Sequence, residues 1–188
     1  MALILASKSP RRQELLSRIT EDFKVRVSYA DETMDETLPV AERISEVSYK
    51  KAKAVLQTAQ KGDVIISADT AVVLNGEVLG KPKTKEDAFN MLSKLSGKTH
   101  SVITAFTVTN GKTFVNECVE TFVTFRKISK VEIEEYISTG EPSDKAGAYG
   151  IQGKGGKFVT GISGDYFSVV GLPICRLSVV LKDFLPNI

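Results

Sequence analysis

Residues 7–12, of sequence Ser-Lys-Ser-Pro-Arg-Arg, form the first segment of the chain that is suited to chemistry. They follow an apolar run and precede residues with helical spacing, which predicts a turn between a strand and a helix. The N–H groups at a helix start carry partial positive charge, and serine hydroxyls and guanidinium groups add donors. The segment suits a phosphate group, although a solvated basic helix start capped by Ser9 explains the spacing equally well.

A carboxylate and a hydroxyl, Asp69 and Thr70, come at the end of a second apolar run, and Lys81 follows a predicted hairpin shortly afterwards. Ligands of α/β sheets gather where strands end, and a carboxylate there can hold a metal ion, orient water or accept its proton. A nearby lysine would offset phosphate charge. The alternative is that Asp69 makes local hydrogen bonds at a strand-to-turn junction.

A glycine-rich stretch from Ala146 to Gly164 is the third candidate. Within it, Gln152 offers both a donor and an acceptor, so its amide can recognise the edge of a nucleobase. The alternative is a surface loop whose Gln152 faces water. The Walker A pattern and the dinucleotide-binding glycine pattern are both absent, so phosphate binding would need a different arrangement.

Composition and charge narrow the class of protein. The 188 residues hold 25 Lys+Arg and 23 Asp+Glu, a formal net charge of +2, which disfavours a nucleic-acid or membrane-surface binder. With 42% hydrophobic and 26% charged residues, the chain resembles an ordinary globular protein, predicted as a single domain over 1–188 or two joined lobes around a central cleft. The apolar opening, residues 1–6, is too short to cross a membrane and lacks a signal-peptide leader, so a cytoplasmic protein is expected.

Few soft metal ligands are present, since the chain has two cysteines, Cys118 and Cys175, and one histidine, His100. They provide neither a disulfide framework nor a zinc site of ordinary spacing. A metal would need oxygen ligands, which favours Mg²⁺ or Mn²⁺. His100 is expected to be structural, and Cys118 to be a small apolar filler on a strand.

Strands and helices alternate in the first half of the chain, and hairpins dominate the middle. Periodicity predicts strands at 3–6, 23–28, 64–70, 102–108, 113–125, 158–162 and 166–170, the last two paired, and a hairpin of 71–74 with 77–79. It predicts helices at 10–19, 39–59, 84–97, 129–138 and from 173 onward. We therefore expect an α/β fold with a mixed, twisted sheet and flanking helices. The pattern alone places Lys51 on a wet helix face and Glu32 in a solvated acidic stretch.

These segments, in this order and spacing, resemble the Maf family of nucleotide pyrophosphatases. The most specific match is Asp-Lys-Ala-Gly-Ala-Tyr-Gly-Ile-Gln-Gly at 144–153. The other matching segments are residues 7–12, 51–52, 67–70, 80–82, 95–97 and 171–173. The resemblance covers almost the whole chain and implies a fold similar to that of inosine triphosphate pyrophosphatases.

The resemblance also implies an activity, the hydrolysis of a nucleoside triphosphate to the monophosphate and pyrophosphate with a divalent cation. It makes Asp69 the catalytic base. The implied phosphate contacts are Ser7, Arg11, Arg12, Lys51 and Lys81. Glu32 matches an acidic position that would bind the metal together with Asp69, with Asp31 as the alternative match.

Arg12, Thr70 and Gln152 resemble the set found in the dTTP/UTP branch of that family rather than the 7-methyl-GTP branch. An amide such as that of Gln152 can pair with the imide N–H of uracil or thymine, which is flanked by carbonyls. The implied role is to remove dTTP, UTP or modified pyrimidine nucleotides, and so to keep non-standard nucleotides out of nucleic acids.

A nucleotide-sensing regulator of septum formation, binding without turnover, is the competing hypothesis from the same resemblance. A carboxylate at Asp69 favours the enzyme, because a sensor needs only the cationic groups. The missing Walker motif disfavours a kinase or ATPase. The predicted partners are a nucleoside triphosphate and a second copy of the chain, with no stable nucleic-acid binding and no membrane.

Overall fold

The computed structural model describes residues 1–185, so the last three residues of the predicted domain lie outside the described part. The strands are β1 (Leu3–Leu5), β2 (Lys24–Val25), β3 (Val64–Leu74), β4 (Glu77–Leu79), β5 (Thr99–Thr109), β6 (Phe114–Phe125) and β7 (Val159–Ser163). The helices are α1 (Pro10–Ser17), α2 (Val40–Leu56), α3 (Lys85–Leu95), α4 (Lys130–Ser138), α5 (Tyr166–Val170) and α6 (Ile174–Phe184). Short 3₁₀ turns occupy Glu141–Asp144, Ala146–Ala148 and Lys154–Phe158.

The strands form a mixed sheet in the order β2-β1-β3-β5-β6-β7, with β4 paired to β3. β1 runs parallel to both of its neighbours, with Ile4 opposite Lys24 on one side and Ile65 on the other. The β3–β4 and β6–β7 pairs are antiparallel. Parallel and antiparallel pairs, together with the six α-helices found within residues 1–185, confirm the predicted α/β class with a mixed sheet.

Contacts along the chain divide it into two units, and β3, β5 and β6 contribute residues to both. The first unit holds residues 1–69, 104–119 and the chain from 171 onward. Its core includes Ala52 and Val55 of α2 packed with Ile4 and Ile65 of the sheet. The apolar residues of α2 recur near the 3.6-residue period of a helix, which predicts this packing.

The second unit holds residues 70–103 and 120–170. Its core is more aromatic and includes Phe125, Tyr136, Tyr149 and Phe158. Both of its long helices, α3 and α4, begin with a complete capping box, as their sequences predict. The prediction of one domain over the whole chain stays a prediction.

One predicted element is wrong. Residues 166–170 form α5 rather than a strand, and β7 pairs with β6 instead. The reason is Asp165, whose carboxylate accepts hydrogen bonds from the N–H groups of Phe167 and Ser168 at 2.7 and 3.3 Å. An aspartate in that position starts a helix turn and overrides the β-branched, aromatic composition that favours a strand.

Candidate active site

Asp69 lies inside β3, not at its end, because the apolar run continues to Leu74 and pairs with β4. The end-of-strand interpretation of Asp69 is therefore wrong. Asp69 and Thr70 are the two partly buried residues of this strand, and the residues on either side of them are buried. Their side chains therefore keep some exposed surface for a ligand although their backbone belongs to the sheet.

The Lys51 ammonium group joins two carboxylates. Its Nζ lies 2.7 Å from Asp69 Oδ1 and 3.0 Å from Glu32 Oε1. The Lys51 side chain is 10% exposed, that of Asp69 13% and that of Glu32 57%. Lys51 is thus buried at the site rather than on the wet face of α2 that the helical pattern predicts. A desolvated ion pair of this kind is costly to break by removing one partner.

Arg12 lies within the field of the same carboxylates. Burial lowers the pKa of its guanidinium group, the charge of Asp69 opposes that shift, Arg11 adds to it and Glu32 opposes it. Its Nε donates to the Gly171 carbonyl at 2.8 Å. The guanidinium group stays protonated, because arginine is not deprotonated in proteins. Arg12 therefore brings a fixed positive charge to the Asp69 cluster.

The turn before α1 has the geometry that its sequence predicts. The Ser9 hydroxyl caps the helix by accepting from the Arg12 N–H at 3.4 Å, and Pro10 takes the first helical position. The Ser7 hydroxyl is buried and accepts from the Ser9 N–H at 3.2 Å. Capping by Ser9 is confirmed, and this capped helix start carries Arg11 and Arg12 in its first turn.

The two neighbouring carboxylates of the acidic stretch, Asp31 and Glu32, have different partners. The Asp31 carboxylate accepts from both the N–H and the hydroxyl of Thr33, at 2.9 and 2.6 Å, and these hydrogen bonds lower its pKa. Glu32, the next residue, is the one that reaches Lys51. Of the two candidate positions for an acidic ligand, the structure therefore places Glu32 at the site.

The sequence analysis assigned no role to three buried hydroxyls, those of Ser48, Ser67 and Thr107. The Ser67 hydroxyl donates to the Ser48 carbonyl at 2.6 Å, and the Ser48 hydroxyl lies 3.0 Å from that of Thr107. Ser48 is one turn before Lys51 on α2, and Ser67 is two residues before Asp69 on β3. These hydrogen bonds hold α2 against β3 next to the positions of Lys51 and Asp69. Two serines at core positions of an apolar helix and strand were the available signal.

The remaining predicted residues belong to the second unit. Thr70 continues β3 and is partly buried, Lys81 is exposed just after β4, and Gln152 is exposed in the glycine-rich stretch. The Gly147 N–H donates to the carbonyl of Gly80, the neighbour of Lys81, at 3.0 Å. Gly147 has φ of +65° and a Cβ there would lie 2.9 Å from Val72 atoms, so both conformation and space require glycine.

His100 is buried in the same unit, as expected for a structural histidine. Its Nε2 lies 2.8 Å from the Tyr149 hydroxyl, and its ring packs edge-on against Phe125. Burial lowers its pKa from 6.5 to about 4. The prediction for Cys118 is wrong, since its side chain is exposed on β6 rather than filling a core.

Glu32 and Asp69 are the donors to test for a divalent cation. Both are carboxylates, the ligand type that Mg²⁺ and Mn²⁺ prefer, and Mg²⁺ commonly takes one or two carboxylates plus substrate phosphates. Over residues 1–185 no group of three or more His, Cys, Asp or Glu residues is close enough to enclose an ion. The pair fits a cation whose remaining ligands come from the nucleotide and water.

Together, a mixed α/β sheet and a carboxylate set among lysine and arginine side chains define a protein built to act on an anionic ligand. No helix within residues 1–185 has the length and apolarity to span a membrane. The family model described as Maf-like protein matches residues 2–184, and the chain belongs to that family.

Several curated relatives match over nearly their whole length, and each of the three below bears the name dTTP/UTP pyrophosphatase. The protein of Alkaliphilus metalliredigens is 49% identical over 190 residues, covering 99% of this chain and 98% of its own. That of Clostridium perfringens is 46% identical over 187 residues, covering 98% and 97%. That of Bacillus pumilus is 47% identical over 182 residues, covering 97% and 96%.

Two solved structures are more distant. The Staphylococcus aureus Ham1 protein has a TM-score of 0.47 and 17% identity, covering 68% of this chain and 72% of its own. A nucleoside-triphosphatase, dITP/XTP pyrophosphatase, from Mycobacterium abscessus has a TM-score of 0.47 and 15% identity, covering 99% and 100%.

Proposed function

We propose that this chain is a nucleoside triphosphate pyrophosphatase that hydrolyses dTTP and UTP to the monophosphate and diphosphate. The names of relatives that are 46–49% identical over nearly their full length support this activity. The observation that carries the proposal is Asp69, an accessible carboxylate bonded to Lys51 within the field of Arg12. A carboxylate among cations is suited to activating water next to a polyphosphate.

The cationic groups offset the negative charge of the triphosphate, so that a water oxygen can attack it. The substrate brings about four negative charges, which repel an attacking oxygen unless they are offset. The proposed phosphate contacts Lys51, Arg11, Arg12 and Lys81 supply positive charge, and the Ser7 hydroxyl adds a donor. Their shared role is to stabilise the charge that develops on the phosphate oxygens.

Asp69 is the catalytic base of the proposed reaction. Its carboxylate accepts a proton from the water that attacks the α-phosphorus, and the pyrophosphate leaves with its charge held by the basic side chains. Lys51 bonds to Asp69 Oδ1, and the other oxygen, Oδ2, is the one that we assign to the proton of the attacking water. Cleavage at the α-phosphorus is supported by the pyrophosphatase names of the relatives.

Glu32 and Asp69 would hold the divalent cation, Mg²⁺ or Mn²⁺. When bound, such a cation neutralises phosphate charge and orients the phosphate chain. Glu32 is exposed and bonded to the same ammonium group as Asp69, so it can turn towards an arriving nucleotide.

The pyrimidine preference is assigned to Arg12, Thr70 and Gln152. The exposed amide of Gln152 can accept from the imide N–H of thymine or uracil and donate to an adjacent carbonyl. Cytosine lacks that N–H, so an amide in this pose disfavours it. Removal of modified pyrimidine nucleotides would keep them out of nucleic acids.

Pyrophosphate release from a panel of nucleoside triphosphates, with Mg²⁺ or Mn²⁺, tests the proposal. We expect turnover of dTTP and UTP to the monophosphate, and a loss in Asp69→Asn of at least ~10²-fold in kcat with nucleotide binding retained. Near wild-type turnover by the variant would remove Asp69 from its role. Tight binding with no turnover of any nucleotide would instead favour the septum-regulating sensor. The homodimer, the cytoplasmic location and the lack of stable nucleic-acid binding stay predictions.

A further inference from the structure

Glu141, which the sequence analysis did not single out, accepts two hydrogen bonds from the glycine-rich stretch and one from Tyr136 of α4. Its Oε2 accepts from the N–H of Lys154 at 2.9 Å. Its Oε1 accepts from the N–H of Gly155 at 3.2 Å and from the Tyr136 hydroxyl at 2.8 Å. One side chain thus fixes two consecutive backbone N–H groups directly.

The same arrangement holds the chain on the other side of Gln152. The Tyr136 hydroxyl, which donates to Glu141, accepts from the Gly150 N–H at 3.1 Å. Residues 150–155, called the clamped segment below, are therefore tied to Glu141 at both ends. Gln152 lies between the two attachments with its side chain exposed.

Glycines in the clamped segment make room for this contact. A Cβ at Gly153 would lie 2.6 Å from Glu141 Oε2, and a Cβ at Gly155 would lie 2.7 Å from the Tyr136 hydroxyl. These are closer than real Cβ atoms approach, so the backbone rests directly on the carboxylate and the phenol. The glycines therefore serve a close approach, rather than the mobility of a surface loop.

The surroundings of Glu141 favour the ionised form of its carboxyl group. Burial acts to raise its pKa, and the hydrogen bonds from Lys154, Tyr136 and Gly155 with the charge of Lys145 outweigh this, so the net shift is downward. Hydrogen bonds from N–H groups to a carboxylate are stronger than those between neutral groups. An ionised Glu141 accepts at both oxygens and donates from neither, whereas an amide in its place has one acceptor oxygen.

We infer that Glu141 is a positioning residue that sets base selectivity, because it holds the clamped segment in the conformation that presents Gln152 to the pyrimidine. The inference rests on the proposed function in assigning the base contact to Gln152. In this proposal Glu141 acts through the backbone that it binds, and it has no direct role at the phosphates or the attacking water. Its loss disorders the approach of Gln152 while Asp69 and Lys51 keep their chemistry.

The test is steady-state hydrolysis of dTTP, UTP and CTP by Glu141→Gln. An amide keeps the size of the side chain but turns an N–H₂ group towards a backbone N–H. We expect KM for dTTP and UTP to rise ~10-fold, from loss of a charge-assisted hydrogen bond, with the preference over CTP reduced. Because the chemistry is intact, kcat should stay within ~3-fold.

Glu132→Gln is the matched control. Glu132 is a carboxylate of the same unit that accepts from Arg126 and Ser129, and it has no bond to the clamped segment. We expect it to change Tm without changing KM or selectivity. Tyr136→Phe is a second variant, which removes the acceptor for Gly150 while keeping the ring that packs on Phe158. We expect Tyr136→Phe to lower the preference for dTTP and UTP over CTP, as Glu141→Gln does.

A double variant separates positioning from a general loss of stability. In a Gln152→Ala background, Glu141→Gln should change KM by less than ~2-fold, because residues acting through one contact are not additive. A full-sized effect in that background, or unchanged KM and selectivity in Glu141→Gln alone, would overturn the inference.

Failure of the proposed function gives a different result, namely no pyrophosphate release by the wild-type protein. Equilibrium binding of dTTP and CTP to the same variants then decides the inference without turnover. A dTTP preference that Glu141→Gln lowers supports it, and equal preferences in variant and wild type refute it.

Discussion

The two units of the chain hold their functional residues by opposite means. In the first unit, side chains contact one another: Lys51 lies between Asp69 and Glu32, and Arg12 lies in their field. In the second unit, side chains hold a backbone: Glu141 binds N–H groups of the clamped segment that carries Gln152. A cluster of charges tolerates small shifts of the backbone, whereas a backbone held at contact distance does not. Charge substitutions should therefore damage the first unit most, and single methyl groups the second.

Loss of the Lys51 charge should have the largest effect. Lys51→Met leaves Asp69 and Glu32 without their shared partner and removes a positive charge from the phosphates, so kcat/KM should fall roughly 10²-fold. Lys50→Met is the matched control, because Lys50 pairs with Glu46 nearer the surface. The kcat/KM of Lys50→Met should stay within ~2-fold of the wild-type value. Equal losses in the two variants, measured by pyrophosphate release, would contradict the role assigned to Lys51.

A methyl group on the clamped segment should have the next largest effect. Gly153→Ala places a Cβ within 2.6 Å of Glu141 Oε2, and overpacking of this kind costs about 1–3 kcal/mol. We expect a lower Tm and a ~10-fold higher KM for dTTP. Gly161→Ala, on β7, has no neighbour within 4 Å of the added Cβ and serves as the control. If both variants bind dTTP like the wild type, close packing at residue 153 does not matter for binding.

The smallest expected effect is that of lowering the pH. It should reduce the free energy of unfolding, with little effect on the site, through protonation of His100. Its pKa is lowered to about 4 in the folded protein from 6.5, so the unfolded chain binds more protons between these values and stability falls as pH drops. From pH 7 to pH 5 the free energy of unfolding should decrease by roughly 1–2 kcal/mol, measured with urea. His100→Phe should flatten that dependence. An unchanged slope in the variant would assign it to other groups.

Sequence reasoning located the first unit's residues better than the second's. The residue types of Asp69 and Arg12, a carboxylate and a guanidinium group in matching motifs, point to their proposed roles. The elements around them follow largely from hydrophobic periodicity. The burial of Lys51 did not follow from periodicity, because it depends on partners 18 and 19 residues away along the chain. The helical pattern alone assigns it to the solvent face.

Residues that act on a backbone are harder to find. Glu141 lies outside every periodic segment, and nothing in its type shows that it accepts from N–H groups more than ten residues away. The helix at 166–170 was missed for a related reason, since one side chain, Asp165, decides it locally against composition. Long-range hydrogen bonds are set by the folded chain, and hydrophobic patterns encode neither these bonds nor the cap at Asp165.

The bond from Arg12 to the Gly171 carbonyl joins residues 159 positions apart. During synthesis the amino-terminal basic turn therefore leaves the ribosome long before its carboxy-terminal support exists. Contacts of such sequence separation form late, since closing a long loop costs entropy before the contact is made. A chain truncated before residue 171 would lack the carbonyl that orients this guanidinium group, so the proposed phosphate site of a nascent protein is incomplete until residue 171 has been added.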